Sequence, residues 1–236
     1  MGRLLWPDDG CPCCGASMPN AAEDLLCAAC ADKLTSLICC PNCLAYMPSP
    51  NWPQHTCHHY GQGEWPQQML SCVPYADKTR YRLRLLKYHN NLRLAQPFGR
   101  LLAARWRQFA AENNVQADVI VPIPLHIERR RIRGYNQSEL LAKALGRQLS
   151  LPVCAGAVCR VDDTRPQHRL TPAEREANLQ GAFASGAAAD KVRGKKVILV
   201  DDIITSGATM REAAAVLREQ GAASVWALAV ASHLQK

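Results

Sequence analysis

The run VILVDDIITSGATM, residues 197–210, restricts the fold more than any other stretch of the chain. Four consecutive apolar residues, three of them β-branched, suit a strand buried on both faces, as in the middle of a parallel sheet. Asp201 and Asp202 stand at the carboxyl end of that run, and Thr205, Ser206, Gly207, Ala208 and Thr209 lead straight into a helical stretch. Main-chain N–H groups of such a loop and of the first helical turn converge on one point, and the helix dipole adds positive potential there. The hydroxyls of Thr205, Ser206 and Thr209 add donors, and Gly207 lets the backbone approach closely. Together they form a cup for a monophosphate. The carboxylates would repel phosphate, so they fit a different task. They accept hydrogen bonds from ribose hydroxyls, or face a magnesium ion bound to those hydroxyls.

The surrounding pattern agrees with a parallel sheet. Apolar runs at 119–124, 153–161, 197–200 and 225–230 read as strands, and 138–149, 171–179 and 207–220 read as helices. In 138–149, Leu140, Leu141, Ala144, Leu145 and Leu149 form one apolar stripe. Alternating strand and helix predict an α/β domain, residues 69–236, with helices on both faces of the sheet. Ligands of such sheets bind beyond the carboxyl ends of the strands. The other common phosphate cradle, GxxxxGK[ST], is absent from the sequence.

Residues 1–68 follow different rules. Ten of the twelve cysteines lie between Cys11 and Cys72. Cys11-x2-Cys14 and Cys27-x2-Cys30 have the spacing of two knuckles closing a tetrahedral zinc site, with Cys13 either a bystander or a replacement ligand. Cys40, Cys43 and Cys57 begin a second set whose regular fourth position is Tyr60. Its fourth ligand is then an imidazole, with His59 favoured over His55 and His58, or else the second set is a decayed knuckle. Zinc in such closed sites is structural and contributes folding free energy to a module too small to form a core. The opening residues MGRLLWPDDGCPCC contain no secretory h-region, and no run of about 18 apolar residues exists, so a cytoplasmic chain with no membrane insertion is expected.

Charge is unevenly divided. The first 68 residues carry −4 and the remainder +12, for a net +8, so the basic excess favours an anionic partner of the larger domain. Arg129, Arg130, Arg131 and Arg133 follow a strand and precede a helix, where guanidinium forks suit pyrophosphate. Arg130, Arg131 and Arg133 are the candidates, and Arg129 reads as part of a solvated loop. Between Lys78 and Ala111 there are nine basic residues and no acid. Arg80, Arg84 and Lys87 share a helical face, with Tyr81, Leu85 and Tyr88 one step round. Such a helix either packs its aromatics in the core or offers a track for single-stranded nucleic acid. Arg165 and Arg169, in a Pro-broken stretch, mark either a flap over the site or a surface connection.

In order along the chain, the paired cysteines precede LLKYHNN, VPIPLHIERRRIRGYNQSELLA, TRPQHRLTPAEREANLQGAF and VILVDDIITSGAT. This succession resembles the ComF/GntX family over essentially the full length, and the last segment resembles the signature of type I phosphoribosyltransferases. The resemblance implies that Thr205–Thr209 hold the 5′-phosphate of phosphoribosyl pyrophosphate (PRPP), and that Asp201 and Asp202 hold the ribose hydroxyls. It also implies a role in handling imported single-stranded DNA, during competence or use of DNA as a nutrient, alongside competence or DNA-processing proteins. Active transfer of phosphoribosyl to a nitrogenous base is the alternative. The ligand-binding residues are common to both.

Overall fold

A chain of fully apolar strands and one-sided helices hides its strands only by layering helices on both sides of them. The computed structural model describes residues 66–75, 77–161 and 181–232, with positions 11, 16, 27–29, 38–39 and 46–47 of the cysteine-rich segment. Two short strands of that segment, β1 (Ile38–Cys39) and β2 (Tyr46–Met47), pair antiparallel. Next come β3 (Gln68–Pro74), α1 (Asp77–Tyr88), α2 (Ala95–Asn113), β4 (Val119–Pro122), α3 (Ile127–Arg133) and α4 (Gln137–Leu149). A hairpin of β5 (Val158–Arg160) and β6 (Phe183–Ser185), then β7 (Lys196–Ile204), α5 (Ala208–Glu219) and β8 (Ser224–Ser232), complete the order. Strands β3, β8, β7 and β4 lie side by side in that order, all parallel.

Side chains alternate across this sheet as a period of two requires. Val197 and Leu199 of β7 join the apolar cluster under α5, with Ala213, Ala214 and Leu217. Ile198 and Val200 join the opposite cluster, with Leu83 and Leu86 of α1, Phe98 and Leu102 of α2, and Leu141 and Leu145 of α4. Helices α2 and α4 pack so closely that a Cβ on Gly99 would lie 2.5 Å from that of Ala144. Among the described residues, no helix is long and apolar enough to cross a membrane.

Two expectations change. The apolar run at 153–161 is not one strand. Val153 makes a single parallel bridge to Ile120, and the chain then turns before β5 pairs antiparallel with β6. Gly156 and Gly186 allow that turn, since a Cβ on Gly186 would lie 2.1 Å from the Gly156 carbonyl oxygen. The central strand also does not end at Val200. It runs to Ile204 because its β8 side stays paired, Asp201 opposite Ala229 and Ile204 opposite Ser232. The helix expected at 171–179 lies outside the described residues.

Cys72 separates itself from the other cysteines by its surroundings. It sits on β3, and burial pushes its thiol up to about 12, partly opposed by Arg105. It therefore stays a protonated thiol, donating to the Leu101 carbonyl at 3.7 Å.

Candidate functional site

The site arises from a difference in strand length. Strand β4 stops at Pro122, and the last main-chain bond across to β7 is from Ile123 N–H to the Val200 carbonyl, 2.9 Å. Beyond that point one edge of β7 is open, and the N-terminus of α4 fills it. Asn136 caps α4 by accepting from Ser138 N–H at 3.0 Å, and its own amide donates to the Ile123 carbonyl at 2.9 Å. The next two residues reach the acids. Gln137 Nε2 donates to Asp202 Oδ1 at 3.2 Å, and Ser138 Oγ donates to Asp201 Oδ1 at 2.6 Å. The segment Arg133–Ser138 is thus a bracket that orients both carboxylates. Gly134 turns the chain into it at φ +82°, a conformation that disfavours a side chain.

Lys87 completes the cluster. Its Nζ lies 2.5 Å from Asp202 Oδ2, with 4% of the Asp202 side chain exposed. Burial, and then repulsion from Asp202, raise the Asp201 carboxyl from 3.8 to about 7, while the Ser138 hydroxyl and Lys87 act in the opposite direction. Burial works to lower Lys87, but the Asp202 charge and contact, helped by Asp201, more than offset it, and the net shift is upward. The Asp201 carboxyl is therefore readily protonated near neutral pH, which lessens the negative charge beside the ammonium.

Below the acids the chain leaves β7 through Thr205 and Ser206 and enters α5 at Gly207, whose φ of +79° belongs to the left-handed region. Ala208 N–H points at Ser206 Oγ over 3.4 Å, a long contact that a stronger acceptor would displace. Arg211 holds the turn by donating to the Ser206 carbonyl at 3.1 Å. Loop and acids open into one cavity of about 570 Å³, at the carboxyl ends of β3, β4 and β7.

The cavity takes Asp201, Asp202, Thr205, Gly207 and Thr209 into its lining, and Ser206 and Ala208 are not part of it. Of the arginines on α3, Arg129 and Arg133 line it and Arg130 and Arg131 do not. The helical period explains this, since positions four apart share a face. Arg131 is turned to Glu128 at 2.7 Å and Arg130 to Glu139 at 3.4 Å. Arg133 donates to Gln137 Oε1 and lies 5.2 Å from the centre of the Tyr88 ring. Arg80 also reaches the lining, while Arg84 is exposed outside it. Tyr81 and Tyr88 are not in the core; they are 54% and 66% exposed. Arg165 and Arg169 lie outside the described residues, as do Cys14, Cys30, Cys40, Cys43, Cys57 and His59. Cys11 is buried, its N–H donating to the Ala16 carbonyl at 2.9 Å, and Cys27 is half-buried.

A cavity lined by two carboxylates, by Thr205, Gly207 and Thr209 of the loop and by the guanidinium-bearing Arg80, Arg129 and Arg133 suits a phosphorylated sugar. Residues 135–236 match the phosphoribosyl transferase domain model. The chain is 33% identical over 165 residues to the DNA utilization protein YhgH of Escherichia coli, covering 69% of this chain and 71% of that one. The chain belongs to the ComF family. Competence protein F of Haemophilus influenzae, at 29% identity over 213 residues, covers 89% of this chain and 92% of its own. A solved adenine phosphoribosyltransferase aligns over 59% of this chain and 71% of its own, at 16% identity and a TM-score of 0.38.

Within this ComF-family chain, Lys87, Arg129, Arg160, Tyr75 and Ser138 also line the cavity; the sequence reading gives Lys87 to a nucleic-acid track and Arg129 to a solvated loop, and assigns the other three no role. Arg129 was legible in principle, because it stands four residues before Arg133. The pairing of Lys87 with Asp202 was not, since Lys87 comes from a helix more than a hundred residues before the acids.

Proposed function

We propose that this protein binds PRPP, with magnesium, in the cavity at the carboxyl end of β7, and that it serves the handling of single-stranded DNA in uptake or nutrient use. One observation carries the reading. Paired acids on a hydrogen-bonded bracket share a cavity with a helix-opening Thr205–Thr209 loop whose glycine occupies positive φ. In this reading the loop amides and the hydroxyls of Thr205 and Thr209 hold the 5′-phosphate. Asp201 and Asp202 accept the ribose hydroxyls, and Arg129 and Arg133 face the diphosphate. Magnesium would offset the diphosphate charge from the carboxylate side of the cavity.

The DNA part of the reading is supported by the names of the relatives and by the exposed side of α1 that borders the cavity. Exposed Tyr81 and Tyr88 alternate there with Arg80 and Arg84, an arrangement suited to stacking bases and attracting phosphates. For the cysteine-rich segment the proposal is a structural zinc module. Cys11, Cys14, Cys27 and Cys30 form one site, and Cys40, Cys43, Cys57 and His59 are the candidates for a second.

The test is a calorimetric titration of the full chain with PRPP and magnesium, alongside the double variant Asp201→Ala, Asp202→Ala. The variant is expected to lose at least about 100-fold in affinity, because hydrogen bonds to charged groups contribute about 1.5–3 kcal/mol each. Equal affinity in the two proteins would remove the site. Salt-dependent binding of single-stranded DNA without pyrophosphate release fits the accessory role. Release of pyrophosphate with any added base would point to transfer instead.

A further inference from the structure

The acid pair already has an occupant. Three of its four carboxylate oxygens are engaged by the chain itself: Asp202 Oδ1 by Gln137, Asp202 Oδ2 by Lys87 and Asp201 Oδ1 by Ser138. A vicinal diol that bridges the two carboxylates competes with these partners for the same acceptor oxygens. Gln137 and Ser138 are 7% and 1% exposed and belong to the capped first turn of α4, where they are fixed. Lys87 is a flexible side chain, 20% exposed, and it lines the same cavity as Arg80, Arg129 and Arg133.

The helix behind Lys87 is anchored. Arg82, 4% exposed, donates to the Cys11 carbonyl at 2.7 Å, and the Leu86 carbonyl accepts from the Tyr135 hydroxyl. Leu83 and Leu86 are fully buried. Departure of the ammonium is therefore a rotamer change of one side chain and needs no shift of α1.

We propose that Lys87 is a displaceable internal cation, a positioning residue that occupies the sugar-hydroxyl site until a vicinal diol takes Asp202 from it, and that then turns to the phosphate groups of the same ligand. This rests on the PRPP reading and adds to it a rule of selectivity. A ligand with the diol and one phosphate loses the Lys87–Asp202 pair and regains little. A ligand that also carries a diphosphate gives the freed ammonium a new partner. Empty, the site keeps its buried carboxylates compensated; loaded, it spends the same charge on the substrate class it prefers.

The experiment titrates the full chain with ribose 5-phosphate and, separately, with PRPP, in the same magnesium buffer. Wild type is compared with Lys87→Gln and Lys87→Met, each checked for an unchanged fold by circular dichroism. The expected result is a split in sign. Removing the ammonium tightens ribose 5-phosphate by about threefold and weakens PRPP by about tenfold, since only the second ligand used the charge. Lys87→Arg, which keeps the charge, is expected to restore most of the PRPP affinity. Parallel weakening of both ligands, or no change in either, overturns the proposal, because a merely structural lysine would act on both alike. Failure of wild type to bind either ligand sinks the site reading itself and this inference with it.

Discussion

Asp201 is a carboxyl group held in a place where ionisation is unfavourable. Its value near 7, against 3.8 in the unfolded chain, means the folded state takes up a proton that the unfolded state has lost. The stability linked to this proton is present below about pH 4 and declines as the pH rises towards 7. Asp201→Asn keeps the acceptor for Ser138 and removes the repulsion with Asp202. The variant is expected to be more stable than wild type at pH 8 by on the order of 1 kcal/mol, with the gap closing towards pH 4. Thermal melts at the two pH values check the sign, and an equal gap at both would show that Asp201 is not the titrating group. Under the proposed function the same change weakens PRPP binding, the usual relation between a strained binding group and its function.

At the scale of elements, the sheet repeats what the residue pattern announces, and the exceptions have local causes. The helix at 207–220 and the strand at 225–230 appear almost where periodicity puts them, as α5 and β8. Those segments carry a continuous signal and meet nothing that overrides it. The acids were legible as a pair, but their bracket was not, because Gln137 and Ser138 meet them only once β4 ends early and α4 closes the gap. The run at 153–161 misled because apolar content alone does not distinguish one strand from a bridge, a turn and a hairpin. The contact between α2 and α4 offers a prediction of its own. Gly99→Ala places a methyl 2.5 Å from the Ala144 Cβ and 2.9 Å from its main-chain carbon, where no flexible side chain can give way. Better helix propensity does not compensate, and a loss of about 1–3 kcal/mol is expected from overpacking. Urea denaturation checks it; an unchanged midpoint would mean the two helices slide apart freely.

For the whole molecule, the cysteine-rich segment and the α/β domain meet on α1. Arg82 buries its guanidinium against the Cys11 carbonyl, while five residues further along Lys87 reaches Asp202. Arg82→Met leaves that carbonyl without its charged donor and is expected to lower stability by about 1–3 kcal/mol. If the segment is a zinc module, a chelator and Arg82→Met should act non-additively, since both loosen the same contact. Melting curves of the four combinations provide the measurement, and strict additivity would separate the two. The contact also has a bearing on divergence. Arg82 grips the main chain at position 11 and makes no demand there on side-chain chemistry. Mutational drift can thus exchange or erase the cysteine at position 11 while the clasp between the two halves persists, provided the backbone keeps its path.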